Sequence, residues 1–130
     1  MILLSFAACA ADPTAPAPVT YDHEACDACA MLISEPRFAA QLVTREGDRR
    51  FFDDPACLFG YVVEHHPTLS NVWFRDSTSA EEEWLPWSAV GFVPATGAPM
   101  AGGFAAVPAG TADAVSFGEA SNRVLSARAR

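Results

Sequence analysis

Between Arg37 and Val43 polar and apolar side chains alternate, and Phe38, Ala40 and Leu42 fall on one face. That is the period of a half-buried strand. Glu46-Gly47-Asp48 is a turn signal, and Arg49 to Phe52 reads as the returning strand of a hairpin. The period then lengthens. Asp54 is placed to cap a helix with Pro55 at its first position. Leu58, Tyr61 and Val62 recur at helical spacing up to His65, and Pro67 ends the run.

The second half repeats the sequence of periods. Asn71 to Arg75 reads as a strand, and Ser77 to Glu83 as a polar loop whose Glu81-Glu82-Glu83 run is a solvated face. Trp84 to Val93 is expected to be extended, Ala95 to Gly103 a Gly/Pro loop, and Phe104 to Val107 a short strand. A short helix over Thr111 to about Glu119 and a last strand over Asn122 to Ser126 complete the pattern. Trp73, Trp84 and Trp87 are expected to supply core. Both halves run strands and then a helix, which predicts an α+β domain of two strand–strand–helix repeats.

The N-terminal twenty residues read differently. Met1 to Cys9 is apolar and ends in two alanines before a cysteine, and Ala10 to Pro18 is a Pro/Ala tract of the kind that forms an extended tether. The apolar stretch resembles the end of a bacterial lipoprotein signal, with Cys9 as the lipidated residue. It is too short for a whole signal and no Lys or Arg precedes it, so a longer leader is expected. The folded domain is then residues 21–130, and residues 1–20 are signal remnant and linker.

The chain has 130 residues, of which 51% are hydrophobic, enough for one domain with a real core. Its formal net charge of -8 argues against nucleic acid and against an anionic membrane surface as partner, leaving a lipid anchor as the only membrane contact. With Cys9 lipidated, Cys26, Cys29 and Cys57 remain, an odd number that points to a free thiol or a metal thiolate rather than a disulfide scaffold.

The chemistry is concentrated in Cys26-Asp27-Ala28-Cys29-Ala30-Met31. Two thiols and a thioether in six residues form a soft donor set, and mixed soft sulfur ligands select Cu(I). Zinc takes Cys but not Met, and no second Cys-x-x-Cys pair supplies its usual four ligands. A thioredoxin-like pair opens a helix, whereas this one runs into Met31-Leu32-Ile33 and Pro36. Copper therefore ranks first, zinc second and thiol–disulfide exchange third. Met31 as apolar filler is the plainer alternative. His23 is either a further donor or an exposed residue near the linker. Cys57 reads as a buried apolar thiol, Asp53-Asp54 as capping and polar loop, and His65-His66 as a helix terminus. Met100, on the residues alone, reads as a loop methionine folded onto nearby aromatics.

The order of these motifs resembles the NosL family, the nitrous oxide reductase accessory lipoproteins. The likeness rests on Cys26-x-x-Cys29-x-Met31, then Phe38-Ala39-Ala40-Gln41, Phe51-Phe52-Asp53-Asp54, Trp73-Phe74-Arg75-Asp76, Trp84, and Thr96 to Phe104 with Met100 inside it. It covers the chain from about Ala25 onward. It implies a Cu(I) chaperone and not an enzyme, anchored in the periplasm to a bacterial membrane, serving assembly of the copper–sulfide centre of nitrous oxide reductase. The implied partners are that reductase and a membrane ABC-type maturation complex. The implied fold is a pair of strand–strand–helix units related to organomercurial lyase, and the implied copper ligands are Cys29, Met31 and Met100, with Cys26 and His23 as optional donors. Two positions depart from the family pattern: Ala30 and Ala101 stand where glycine is usual. They raise a copper carrier for another cuproenzyme as an alternative. Outside that class, an exported thiol–disulfide protein using Cys26 and Cys29 is the other expectation.

Overall fold

The computed structural model describes residues 11–99 and 103–130. A short 3-10 turn, Pro36–Phe38, leads into β1 (Ala40–Thr44) and β2 (Arg49–Phe52), joined through Gly47 at a φ of 92°. Then follow α1 (Pro55–His65), β3 (Leu69–Arg75), β4 (Trp84–Pro86), β5 (Val90–Pro94), β6 (Phe104–Pro108) and α2 (Phe117–Arg128). One antiparallel sheet has the order β2-β1-β3-β4, and β5 and β6 form a separate antiparallel pair. The protein is thus mixed α+β, with two helices on antiparallel sheets.

The first hairpin and α1 follow the sequence pattern closely. Gln41 faces Phe51 and Leu42 faces Arg50 across β1 and β2. Asp54 caps α1 by accepting a 2.9 Å hydrogen bond from the Cys57 N–H, and Pro55 occupies the first turn, where a missing N–H costs nothing. His66 closes the helix in the left-handed region at a φ of 48°. The expected alternation in β1 does not carry into burial. All five of its residues are buried, because β1 lies between β2 and β3 and the N-terminal segment covers its outer face.

That segment is the first departure from the sequence reading. The tract expected to be a tether is docked on the sheet, with Ala17 and Val19 buried. The buried Gln41 amide mimics a strand for it, accepting from the Ala17 N–H and donating to the Ala17 carbonyl, each at 2.9 Å. Arg49 donates to the carbonyls of Asp12 and Ala15, also at 2.9 Å. A buried amide with both ends paired carries little penalty, so the polar Gln41 fixes this segment in one place.

Further departures lie in the second half. Trp84 to Val93 is not one extended run but two strands in different sheets, broken at Trp87-Ser88-Ala89. Trp73 is buried and Trp84 half-buried, but Trp87 is 40% exposed and is not core. The helix expected over 111–119 and the strand expected over 122–126 are replaced by one helix, α2. Ser116 caps it, accepting from the Glu119 N–H at 3.2 Å, and Ala120 and Val124, one turn apart, bury against the core. Glu82 is not merely solvated. It lies 3.5 Å from the buried Arg75 guanidinium and accepts from the Tyr21 hydroxyl at 3.3 Å.

The core is aromatic at its centre. Phe59 of α1 packs edge-on against Phe92 of β5 at 5.5 Å and Phe117 of α2 at 5.2 Å, and Phe74 of β3 meets Phe92 at 4.9 Å. Such pairs each add about 0.5–1.5 kcal/mol beyond the area they bury. They join both sheets and both helices.

Candidate metal centre

The loop preceding β1 is built as a small hairpin. Ala25 and Leu32 bridge, the Ile33 N–H donates to the Glu24 carbonyl, and the Cys26 N–H donates to the Met31 carbonyl at 2.8 Å. The Ala30 N–H turns back to the Cys26 carbonyl at 2.9 Å, with Ala30 itself left-handed at a φ of 64°. Asp27 ties the loop to β2 twice. Its N–H donates to the Phe51 carbonyl and its carboxylate accepts from the Phe51 N–H, each at 2.8 Å. The two cysteines therefore ride on a turn fixed to the sheet edge.

Cys57 comes to the same place from the first turn of α1. The sulfurs of Cys26, Cys29 and Cys57 all lie within 4.8 Å of one another. Cys26 and Cys57 are buried and Cys29 is half-exposed. A metal holding three thiolates in a plane at bonds of about 2.3 Å sets the sulfurs about 4.0 Å apart. The trio can hold a metal ion with little closure.

The trio is electrically asymmetric. The Cys26 thiol is pulled down to about 5, chiefly because the Cys57 thiol donates a hydrogen bond to its sulfur. The N–H groups of Cys29, Asp53 and Ala28 add to this, against the opposing pull of burial. Backbone N–H groups converging on one atom form an anion nest, which favours the thiolate. Cys57 goes the other way: its proton is engaged with Cys26, and burial and the Asp54 charge push it further up. Burial also raises Cys29, offset in part by the Met31 N–H. Nearby Asp53 is pushed up to about 6 by burial and then by the charges at Cys26 and Asp54. The surroundings thus favour the thiolate at Cys26 and the thiol at Cys29 and Cys57. A soft cation gains three thiolates there by displacing two protons.

The other expected ligands are placed as follows. Met31 is on the same loop as Cys26 and Cys29 and is 55% exposed. His23 is exposed in the turn before the loop and is not a member of the sulfur cluster. Met100 and Cys9 lie outside the described residues. Cys57 is buried as expected. Its sulfur faces the other two, however, and nothing in its spacing from Cys29 signals that. The one hint is positional, since a thiol in the first turn after a capping Asp points back toward the chain that enters the helix.

A cavity of about 170 Å³ opens beside the trio, lined by Cys29, Cys57, Gly60, Tyr61, Glu64 and Arg128. It connects the sulfurs to solvent between α1 and the last turn of α2. Comparison of the chain with protein-family models, with curated proteins and with solved structures finds no match.

Proposed function

We propose that the chain is a Cu(I) carrier that holds its cargo on Cys26, Cys29 and Cys57. The observation that carries this reading is the convergence of three sulfurs within 4.8 Å at a partly open surface. Thiolate sulfur suits Cu(I), and the thioether of Met31 is the softest further donor on the loop. An exposed Met31 beside a half-exposed Cys29 gives a path out: copper leaves the buried pair last and passes over the exposed sulfurs to a docked acceptor. The site residues of this proposal are the three cysteines, with Met31 and, in a second rank, His23 and Met100 as transfer ligands.

The wider setting follows the resemblance. In this proposal β1–β2–α1 and β5–β6–α2 are the two strand–strand–helix units, Cys9 carries a lipid anchor in the periplasm, and the cargo goes to nitrous oxide reductase or another cuproenzyme through a membrane partner. The protein acts by binding and release rather than by catalysis. Thiol–disulfide exchange is the second reading, favoured by the stabilised Cys26 thiolate. Against it, Cys26 is only 3% exposed, which denies a bulky disulfide its approach.

The test is an anaerobic Cu(I) titration against a chromophoric chelator, with Zn(II) in parallel. Cys29→Ser and Cys57→Ser are expected to lower Cu(I) affinity by more than about a hundredfold, the upper range for losing mere supporting groups. Met31→Leu is expected to lower it less and to slow transfer. Equal affinity in wild type and both cysteine variants would remove the copper reading.

A further inference from the structure

Two charged side chains, Arg128 and Glu64, stand on the rim of the cavity that opens onto Cys29 and Cys57. The Arg128 guanidinium lies against the bare side of Gly60, in the space that a Cβ there would fill. A residue with any side chain at this position of α1 would push the guanidinium off the rim. Neither Arg128 nor Glu64 has an ion-pair partner among the described residues. A cation and an anion thus line the same cavity of about 170 Å³ as Cys29 and Cys57. For a bare metal cation this lining is a poor design, because the guanidinium offsets the attraction of the carboxylate. For a small zwitterion with a soft donor it is a fitting one.

We propose that the cavity receives copper as a complex of a small amino-acid thiol, with the ligand's carboxylate on Arg128, its ammonium on Glu64 and its sulfur-bound copper over Cys29. This rests on the copper-carrier reading and names the form in which the cargo arrives. One donor the size of cysteine fits the volume, with the second donor thiol of the complex outside it, and a larger peptide thiol does not fit within it. The exchange keeps copper as Cu(I) throughout. The Cys29 sulfur bonds to copper as one donor thiolate leaves, and the leaving thiolate takes up the proton that Cys29 gave up. A second exchange at Cys57 frees the second donor thiol in the same way. Arg128 and Glu64 are positioning residues here, since they hold the donor and touch no metal.

The experiment is stopped-flow transfer of Cu(I) to the reduced protein from four donors. Cysteine carries both charges, mercaptopropionate the carboxylate alone, cysteamine the ammonium alone, and mercaptoethanol neither. Rates are compared as wild-type to variant ratios for each donor, so that the donors' own affinities cancel. Arg128→Gln is expected to slow transfer from cysteine and mercaptopropionate by about tenfold, the size of one charge-assisted contact, and to leave cysteamine and mercaptoethanol within about twofold. Glu64→Gln is expected to slow cysteine and cysteamine and to spare the other two. Gly60→Ala, which crowds the guanidinium while favouring the helix, is expected to copy Arg128→Gln. Ratios that are the same for all four donors would overturn the proposal and leave the copper site standing. Failure of wild type to take Cu(I) from any donor would remove the copper reading and this proposal with it.

Discussion

Ala30 separates Cys29 from Met31 and holds a φ of 64°, where a Cβ crowds the following carbonyl. The loop imposes that angle, since Cys26 closes onto Met31 from one side and Ala30 closes onto Cys26 from the other. Glycine takes such an angle freely, although it also gives the unfolded chain more freedom. Ala30→Gly is therefore expected to stabilise the protein by about 0.5–1 kcal/mol, read as a higher denaturant midpoint at unchanged slope. A lower midpoint would mean that the turn stores no strain at this residue. At this scale the sequence was informative about which residues matter and silent about their geometry. Cys26 and Cys29 were evident from their spacing. That the Cys26 thiolate is favoured depends on N–H groups from Ala28, Cys29 and Asp53, and on a thiol from Cys57, which only folding brings together.

The elements read best where local signals agreed. Turn, alternation and an Asp-Pro cap fixed β1, β2 and α1 in the first half, because local chemistry and tertiary packing ask for the same conformation there. The C-terminal region shows the opposite case. A strand is expected over Asn122 to Ser126, yet Ser116 and Glu119 spell a capped helix start, and packing of Ala120 and Val124 decides for the helix. The error concealed Arg128, because a strand over 122–126 would not carry it to α1. The cap of α1 is the element on which the metal centre depends. Asp54 is fully buried and takes the Cys57 N–H, so it sets both the helix start and the position of the third sulfur. Asp54→Ala is expected to lose at least about 1–2 kcal/mol of stability and to weaken Cu(I) binding as well. Asp54→Asn keeps an acceptor and should retain most of both. Paired denaturation and titration of the two variants make the check. Full Cu(I) affinity in a folded Asp54→Ala protein would separate the cap from the site.

Across the whole molecule, the three sulfurs come from two places that the chain brings together late. Cys26 and Cys29 sit on a loop ahead of the sheet, and Cys57 sits on a helix behind the first hairpin. A metal on all three is a cross-link between them, and the unfolded chain, in which Cys57 is apart from the loop, offers only the weaker local site. Ligand bound only by the folded state stabilises it by about 2.7 kcal/mol at a free concentration a hundred times Kd. For a chain of this length that raises Tm by roughly 10 °C. Wild type titrated with chelator-buffered Cu(I) is expected to show this rise in an anaerobic thermal melt. Met31→Leu should show most of it, because Met31 is largely exposed and the three thiolates remain. Cys57→Ser should show little, because copper held by the loop alone links nothing. A full rise in Cys57→Ser would place the metal on the Cys26–Met31 loop without α1. The Cys26–Cys57 pair would then be a buried contact with a shared proton, and the loop sulfurs would be the whole of the site.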